Sequence, residues 1–333
     1  MVSTETPLVI DGLNCAVVTR DQFERTLKGG VSIINLTAIT PWSSVTGALK
    51  ELETNLAVIE AMGDIACVVG SVDDIHAAKR AGKLGVIIGS QSSQMAEEDL
   101  AMLATFKRLG MRILQPTYNE RCKFGQGAPF VGDADEGMTA AGHDWIAEMH
   151  RLHLLIDLSH CGHKTSADYL AASKQPVVFS HANAYELCPS PRNKTDDHVR
   201  AVAKTGGLIG AVMWAPSLKH ATRPSIEDYL DHLDHLVNVG GIEHVAFASD
   251  QAEGHPGGRE EWETTFGPRG KYPNITGILG PWYEWDTRLC SDYSSLAHTP
   301  RIWDAMRKRQ YSASDIEKVM SKNWLRVLRD VWG

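Results

Sequence analysis

Short apolar runs alternate with amphipathic stretches along most of this chain. Runs with the length and composition of buried strands lie at 8–11, 31–38, 65–71, 84–91, 111–117, 154–159, 176–181, 207–214 and 244–250. Apolar residues three and four positions apart predict helices at 45–61, 73–81, 97–109, 139–152, 196–205 and 225–239. We expect Asp73, Thr139 and Ser225 to cap three of these helices. Strands and helices in alternation imply parallel strands joined by right-handed crossovers.

This alternation predicts an α/β fold, a (β/α)8 TIM barrel. The run at 65–71 is one strand too many for an eight-stranded barrel, and only a short helix separates it from the next run, so we place it outside the ring. No linker or repeat divides the chain, and we expect a single domain over 1–333. Within it, 251–298 is a loop-rich insertion with many Gly, Pro and Trp residues. The segment 299–333 is predicted to form C-terminal helices, the second starting near Ser312.

Composition and charge narrow the classes of partner. The net charge is −8 and no block of Lys and Arg offsets it, which argues against binding to nucleic acid or to an anionic membrane surface. The start MVSTETPLVIDG has neither a basic region nor a long apolar stretch, so we expect no signal peptide or anchor. Six cysteines at scattered spacings fit reduced thiols. We therefore expect a cytoplasmic protein.

Three residues that can bind metal or transfer protons end apolar runs. His160 ends LLIDLSH, His181 ends PVVFSH and Asp250 ends HVAFASD. In a parallel barrel, strand ends of the same polarity lie on one face, so these side chains should converge at one mouth. Imidazoles can hold a divalent ion while a carboxylate takes the proton of an attacking water. The alternative for each histidine alone is a hydrogen-bonded structural residue.

Six segments resemble the renal (membrane) dipeptidase family, peptidase M19 of the amidohydrolase superfamily. They are IDGLN at 10–14, DLSH at 157–160 with FSH at 179–181, PRNKTDD at 191–197, ASD at 248–250 and NWLRVLRDVW at 323–332. The resemblance covers nearly the whole chain. It implies a TIM barrel of the metallo-dependent hydrolase type that holds two zinc ions and hydrolyses dipeptides, including those ending in a D-residue. It also implies a homodimer.

The resemblance assigns roles to four residues. His160 and His181 fill the positions that hold the second zinc, and Asp250 fills that of the catalytic base. Arg192 fills the position expected to grip the substrate carboxylate. Tyr118 stands where the family has a histidine that contacts the substrate or the developing oxyanion, and its hydroxyl can still donate a hydrogen bond there.

Other family positions have changed. Leu13 and Cys15 replace a His-x-Asp pair that holds the first zinc, and Gln91 replaces the bridging glutamate. Leucine has no donor atom, and a neutral amide lacks the charge of a bridging carboxylate. We therefore expect one zinc ion at most, or no metal at all, with Cys15 or Gln91 assisting the two histidines.

Cys15 has three interpretations. As a thiolate it could complete a zinc site with His160, His181 and Asp250. It could also be a small buried residue at a strand end, or a nucleophile activated by a neighbouring histidine. Next to it, Asn14 is a candidate substrate-binding residue that could also orient the loop by hydrogen bonding.

The insertion offers further candidates. Glu253 and His255 are either substitute ligands or polar loop residues. An aromatic group could form a lid or a cage for a cation, or could serve packing and dimer contacts; its members are Trp214, Trp282, Tyr283 and Trp285.

Three functions fit these observations. The first is a dipeptidase-like amidohydrolase that cleaves an amide or other C–N bond in a small carboxylate-bearing substrate. The second is a lyase or hydrolase of a small amine or betaine-like compound that lacks a two-zinc centre. The third is a catalytically silent barrel that binds a small molecule, since barrels host many functions.

Overall fold

The fold is an α/β barrel, described here from a computed structural model over residues 7–219, 223–254, 257–265, 267 and 284–333. Its strands are β1 (Ile10–Asn14), β2 (Ile33–Thr37), β3 (Ala66–Val68), β4 (Leu84–Ser90), β5 (Met111–Leu114), β6 (Arg121–Cys122), β7 (Gly125–Gln126), β8 (Leu155–Ile156), β9 (Val178–Phe179), β10 (Leu208–Val212) and β11 (Val245–Ala248). Every strand run expected from the sequence overlaps one of these strands, although β1 continues three residues beyond the run at 8–11. The short antiparallel pair β6–β7 is additional.

Eight parallel strands form the ring. One sheet has the order β1-β2-β4-β5-β8 and the other the order β9-β10-β11. Single parallel bridges join the two sheets, Asp157 to Val178 at one seam and Asn14 to Gln251 at the other. β3 pairs with the start of β4 and lies outside the ring. The (β/α)8 barrel with an extra strand is therefore confirmed.

Helices follow most of the strands. They are α1 (Arg20–Lys28), α2 (Val45–Ala61), α3 (Val72–Arg80), α4 (Met102–Arg108), α5 (Ala140–Arg151), α6 (His163–Ala172), α7 (Asp196–Lys204), α8 (Ala215–Leu218), α9 (Ile226–Gly240), α10 (Gly258–Thr265), α11 (Pro300–Lys308), α12 (Ala313–Glu317) and α13 (Asn323–Trp332). A π-helical turn at Lys318–Lys322 joins α12 to α13. Among the described helices, none has both the length and the apolar character needed to cross a bilayer.

Two of the three predicted caps are confirmed, and the third cap and one helix start are wrong. Thr139 caps α5, and Ser225 caps α9 through a reciprocal capping box with Asp228. The prediction of Asp73 as a cap is wrong, because Ser71 has the extended backbone and its hydroxyl accepts from the Asp74 N–H. The helix predicted from 97 begins at Met102, because the Asp99 carboxylate accepts from the Ala101 N–H and competes with the helical turn.

The C-terminal helix closes the end of the barrel where the strands begin. Each of the eight barrel strands contributes one apolar side chain to this layer: Ile10, Ile33, Ile87, Ile113, Leu155, Val178, Leu208 and Ala246. Trp324, Val327 and Leu328 of α13 pack onto it. A Cβ at Gly12 would lie 2.9 Å from Trp324 Cζ2, so only glycine fits beneath this indole. The opposite end, where the strands finish, is left open for chemistry.

Candidate functional site

The sequence-predicted site residues that the structure describes lie at the ends of the strands or in the loops that follow them. Cys15 follows β1 and Gln91 follows β4, while His160, His181 and Asp250 follow β8, β9 and β11. Tyr118 and Arg192 come from the loops after β5 and β9. This convergence is the one expected for a parallel barrel.

Asp157 supports the loops of both histidines. Its buried carboxylate accepts hydrogen bonds from the Ser159 N–H at 3.0 Å, the Ser180 N–H at 2.9 Å and Gln115 Nε2 at 2.7 Å. The Ser159 and Ser180 hydroxyls also donate to it, each at 2.5 Å. Because these serines directly precede His160 and His181, one carboxylate fixes the ends of β8 and β9 relative to each other.

The tautomer of His160 is set by its neighbours. Nδ1 lies 2.8 Å from Asn119 Oδ1, which can only accept, so Nδ1 carries the proton. Nε2 is then an acceptor, and Arg192 Nη2 donates to it at 3.0 Å. Burial lowers the pKa of His160 well below its ordinary value, and the Arg192 charge lowers it further. His160 is therefore neutral, with both nitrogens engaged.

His181 differs from His160 because one of its nitrogens is unpaired. Nδ1 lies 2.7 Å from the Ser180 hydroxyl. Nε2 is buried and has no hydrogen-bond partner among the described residues. Burial, followed by the charge of Arg192, holds the pKa of His181 well below its ordinary value. An unpaired buried nitrogen next to the mouth is a candidate for contact with a substrate or an ion.

Arg192 is the cation at the centre of the site. Its side chain is only 3% exposed, and Nη1 donates to the Ser159 carbonyl while Nη2 donates to His160. The guanidinium also lies 5.9 Å from the Trp214 ring. Its charge lowers the pKa of Asp250, which places the two groups within electrostatic range.

Asp250 has an unusual backbone and a raised pKa. Its φ of 50° lies in the left-handed region, which few residues other than glycine, asparagine and aspartate adopt readily. The residue keeps some exposure to the mouth, but loss of solvent around its carboxyl group raises the pKa to about 7, against the opposing effect of Arg192. A carboxyl group with this pKa can exchange protons near neutral pH.

The side chains around Cys15, where the resemblance implies the position of a first zinc ion, form a network of neutral groups. Gln91 Nε2 donates to Thr37 Oγ1 at 2.9 Å and to Cys15 Sγ at 3.3 Å. Cys15 Sγ lies 3.4 Å from Thr37 Oγ1 and 3.7 Å from Asp250 Oδ1. Burial, followed by the negative charge of Asp250, raises the pKa of Cys15, so its sulfur is a protonated thiol. The network therefore offers no anionic ligand apart from Asp250.

Tyr118 covers the histidines from the side of the mouth. Its ring stacks on His160 with centroids 4.0 Å apart, and Trp42 meets its edge at 5.5 Å. Tyr118 also lines a pocket of about 510 Å³ with Cys15, Gln91 and Trp42. A second pocket of about 250 Å³ is lined by Asp250 and Trp214, and Ala252 lines both. Asp250 thus lines one cavity of small-molecule size, and Cys15, Gln91 and Tyr118 line another.

The residues present do not fit a metal centre in this arrangement. Leu13 has no donor atom, the Gln91 amide nitrogen faces Cys15 and Thr37, and the His160 lone pair accepts from Arg192. Among the described residues, the only His, Cys, Asp or Glu side chains whose ligand atoms come within 4.8 Å of one another in a set of three are Glu186, Asp196 and His235, which lie away from the mouth. Among the described imidazoles of the site, His181 has a nitrogen lone pair that no hydrogen bond occupies.

Other predicted residues are engaged elsewhere. Asn14 donates to Asp11 at 3.0 Å and accepts from the Ala16 N–H at 3.0 Å, as expected for a residue that orients the loop. The Glu253 carboxylate accepts from Gln22 and from the Leu296 N–H. Trp285 packs against Arg288 and Trp262. The candidates His255, Trp282 and Tyr283 lie outside the described residues.

Sequence reasoning missed three residues that shape the site: Asp157, Asn119 and Thr37. Asp157 was visible as a charged residue inside an otherwise apolar run, LLIDLSH, since a buried carboxylate needs several donors. Thr37 ends its run in the same way as the other strand-end candidates. Asn119 follows Tyr118 in a loop, and no periodic pattern predicts its contact with His160.

Comparison with known proteins identifies a family. A family model described as membrane dipeptidase (peptidase family M19) matches residues 22–280. An uncharacterized dipeptidase of Schizosaccharomyces pombe is 32% identical over 241 residues, covering 71% of this chain and 57% of that protein. The chain thus spans little more than half the length of this relative.

Two solved structures have the same fold. An amidohydrolase from Pseudomonas aeruginosa is 31% identical with a TM-score of 0.88, covering 98% of this chain and 97% of that one. A metallopeptidase from Rhodobacter sphaeroides, liganded with a phosphinate mimic of L-Ala-D-Ala, is 22% identical with a TM-score of 0.79, covering 98% and 100%. At that identity the second likeness concerns the fold alone.

Proposed function

The chain belongs to peptidase family M19, the membrane dipeptidases of the amidohydrolase superfamily, and we propose that it hydrolyses an amide bond in a small carboxylate-bearing substrate. It is a dipeptidase-like hydrolase by descent; the substrate class is our inference. The observation that carries the proposal is the position of Asp250, a carboxyl group with a pKa of about 7, beside the buried cation of Arg192 at the open end of the barrel.

The proposed reaction uses only side chains of this chain. Asp250 accepts a proton from water as the water oxygen adds to the substrate's carbonyl carbon. The Tyr118 hydroxyl donates a hydrogen bond to the developing oxyanion. The C–N bond then breaks, and the proton held by Asp250 passes to the departing nitrogen. Arg192 pairs with the substrate carboxylate through the guanidinium hydrogens that Ser159 and His160 leave unused.

The metal content proposed is one ion at most. The metallopeptidases of this family depend on zinc, and their two-zinc centre needs the ligands that Leu13, Cys15 and Gln91 replace. A single ion would have to be held by His160 and His181, with Cys15 or Gln91 assisting. Because one route to an activated water is lost, ordinary dipeptidase activity is expected to be weak.

A substrate panel tests the proposal. The purified protein is assayed against L,L- and L,D-dipeptides and N-acyl amino acids, following release of the free amine. Asp250→Asn should lower kcat by about 10²- to 10⁴-fold, because it removes the proton acceptor. Asparagine tolerates the left-handed backbone at this position, so the fold should persist. Asp64→Asn is the matched control, since Asp64 pairs with Arg20 on the surface. Turnover that survives in Asp250→Asn would contradict the proposal.

A second candidate substrate is a small amine-bearing acid. The pocket beside Asp250 is lined by Trp214, Trp262 and Trp285 together with Glu261, and aromatic faces with acidic neighbours bind organic cations. The same substrate panel distinguishes the two candidate substrate classes if it includes N-methylated and quaternary-ammonium acids. Turnover restricted to the cationic compounds would favour this candidate, and binding without any turnover would indicate a silent barrel.

A further inference from the structure

We propose that the Arg192 guanidinium occupies the place of the family's second metal ion, so that the cation of this site is part of the chain itself. The inference deepens the proposed function and rests on it only for the chemistry that the cation serves. Whether the site takes up a metal ion can be tested without any substrate.

The lone pair of His160 Nε2 is already occupied by a hydrogen bond. Asn119 Oδ1 fixes the proton on Nδ1, and Nε2 then accepts from Arg192 Nη2 at 3.0 Å. A histidine nitrogen binds zinc through that same lone pair, at about 2.0 Å. Arg192 and a metal ion therefore compete for one nitrogen, and the structure gives it to Arg192.

The guanidinium of Arg192 is held in place by its neighbours. Arg192 is 3% exposed, and Nη1 donates to the Ser159 carbonyl, the residue immediately before His160. Ser159 is itself held by Asp157. Arginine keeps its proton in proteins, so the charge at this position is permanent. A divalent ion entering beside it would meet a like charge in a buried setting.

The side chains around His160 and Arg192 also provide too few other ligands for a metal ion. Leu13 provides no donor, and Gln91 directs its amide nitrogen toward Cys15 and Thr37. His181 Nε2 is the unpaired imidazole nitrogen of the site, and together with the Asp250 carboxylate it gives two ligands, fewer than the three or four that a zinc site needs.

A guanidinium in this place supplies part of what a metal ion supplies. The N–H groups that Ser159 and His160 leave unused are fixed donors that can polarise a substrate oxygen. It cannot lower the pKa of a water by coordination, so proton removal is left entirely to Asp250. The centre then needs no exchangeable cofactor.

Cobalt titration of the metal-stripped protein tests the inference. Co²⁺ is chosen because tetrahedral binding by histidine produces visible absorption bands. We expect no bands in the wild type, and about one Co²⁺ per chain in Arg192→Ala, where the released His160 Nε2 can join His181 Nε2 and the Asp250 carboxylate as the third ligand. Adding His181→Ala to that variant should remove the bands. The matched control is Arg151→Ala, an exposed arginine paired with Glu148, which should behave as the wild type does.

Two results would overturn the inference. One is a wild type that binds Co²⁺ or Zn²⁺ stoichiometrically and loses it in His160→Ala. The other is an Arg192→Ala protein that melts cooperatively but takes up no Co²⁺. If Arg192→Ala does not fold, Arg192→Lys, which keeps the charge, together with the wild-type titration decides, and both should remain free of bands. The result of the dipeptide panel does not enter this test. If the protein fails to hydrolyse the proposed substrates, the metal titration still shows whether Arg192 takes the place of the metal ion.

Discussion

Asp250 is the residue on which the chemistry depends, and its surroundings explain its pKa of about 7. The main cause is loss of solvent, and the Arg192 charge opposes it. His160 and His181 remain neutral over the same pH range, because burial lowers their pKa values. The charge of Asp250 therefore changes near neutral pH, whereas the charges of the two histidines do not.

The pH dependence of kcat/KM follows from this. Asp250 must be ionised to accept a proton, so kcat/KM should rise with pH through about 7 and be lost as the carboxylate is protonated below it. The measurement is kcat/KM between about pH 5 and 9, with Asp64→Asn as a control of unchanged profile. A profile that is flat through this range would show that Asp250 is not the base.

Individual site residues differ in how far the sequence reveals them. His160, His181 and Asp250 end apolar runs, and strand polarity alone brings them to one face. The contact between Arg192 and His160 was not predictable, because Arg192 lies in a loop without periodicity. The neutral network around Cys15 depends on side-chain orientation at three strand ends, which sequence spacing does not determine.

The strands β8 and β9 are joined less by their own ladder than by side chains. A single bridge from Asp157 to Val178 links their sheets, and the Asp157 carboxylate binds both following loops. This carboxylate therefore acts as a positioning group for His160 and His181 and also closes one seam of the barrel.

Replacing Asp157 by asparagine should weaken that seam. The amide can no longer accept all the serine and backbone donors, and we expect the free energy of unfolding to fall by about 3 kcal/mol. Urea unfolding followed by circular dichroism measures the change. Asp133→Asn, at an exposed position, is the control and should alter stability by less than about 0.5 kcal/mol. An equal, small effect in both variants would contradict this role for Asp157.

The sequence predicts most of the strands and helices, but it predicts their boundaries less well. The run at 45–61 predicts α2 with its observed bounds, because apolar periodicity and the Ser44 cap agree. The predicted helix start at 97 is wrong, because the Asp99 carboxylate accepts a hydrogen bond from the Ala101 N–H and so competes with the first helical turn. Strand β8 is shorter than its run because the chain turns into the loop that Asp157 organises.

One end of the barrel stabilises the fold, and the other end carries the candidate site. At one end α13 packs Trp324 and its neighbours onto the apolar layer contributed by the eight strands, and Asn323 donates to the carbonyls of Ile242 and Val245. At the other end lie the site and its two pockets. A barrel shared with a solved relative, beside a site whose residues do not fit a metal centre, is consistent with this separation, because fold stability and chemistry draw on different residues.

Truncating Trp324 should therefore affect stability far more than catalysis. Trp324→Ala leaves a large cavity beneath α13, and we expect the free energy of unfolding to fall by about 3–5 kcal/mol. In the folded variant, kcat/KM should stay within a few-fold of the wild type. Trp332→Ala, a partly exposed residue of the same helix, is the control and should cost much less. A large loss of kcat/KM at unchanged stability would contradict the separation of the two ends.

The central claim is that this M19 barrel hydrolyses its substrate without a two-zinc centre. The most direct test is the turnover of a cleaved substrate before and after exhaustive treatment with a chelator, with the zinc content of the same samples measured in parallel. We predict that turnover persists in the stripped protein and disappears in Asp250→Asn. Turnover that is abolished by chelation and restored by two equivalents of zinc would contradict the account.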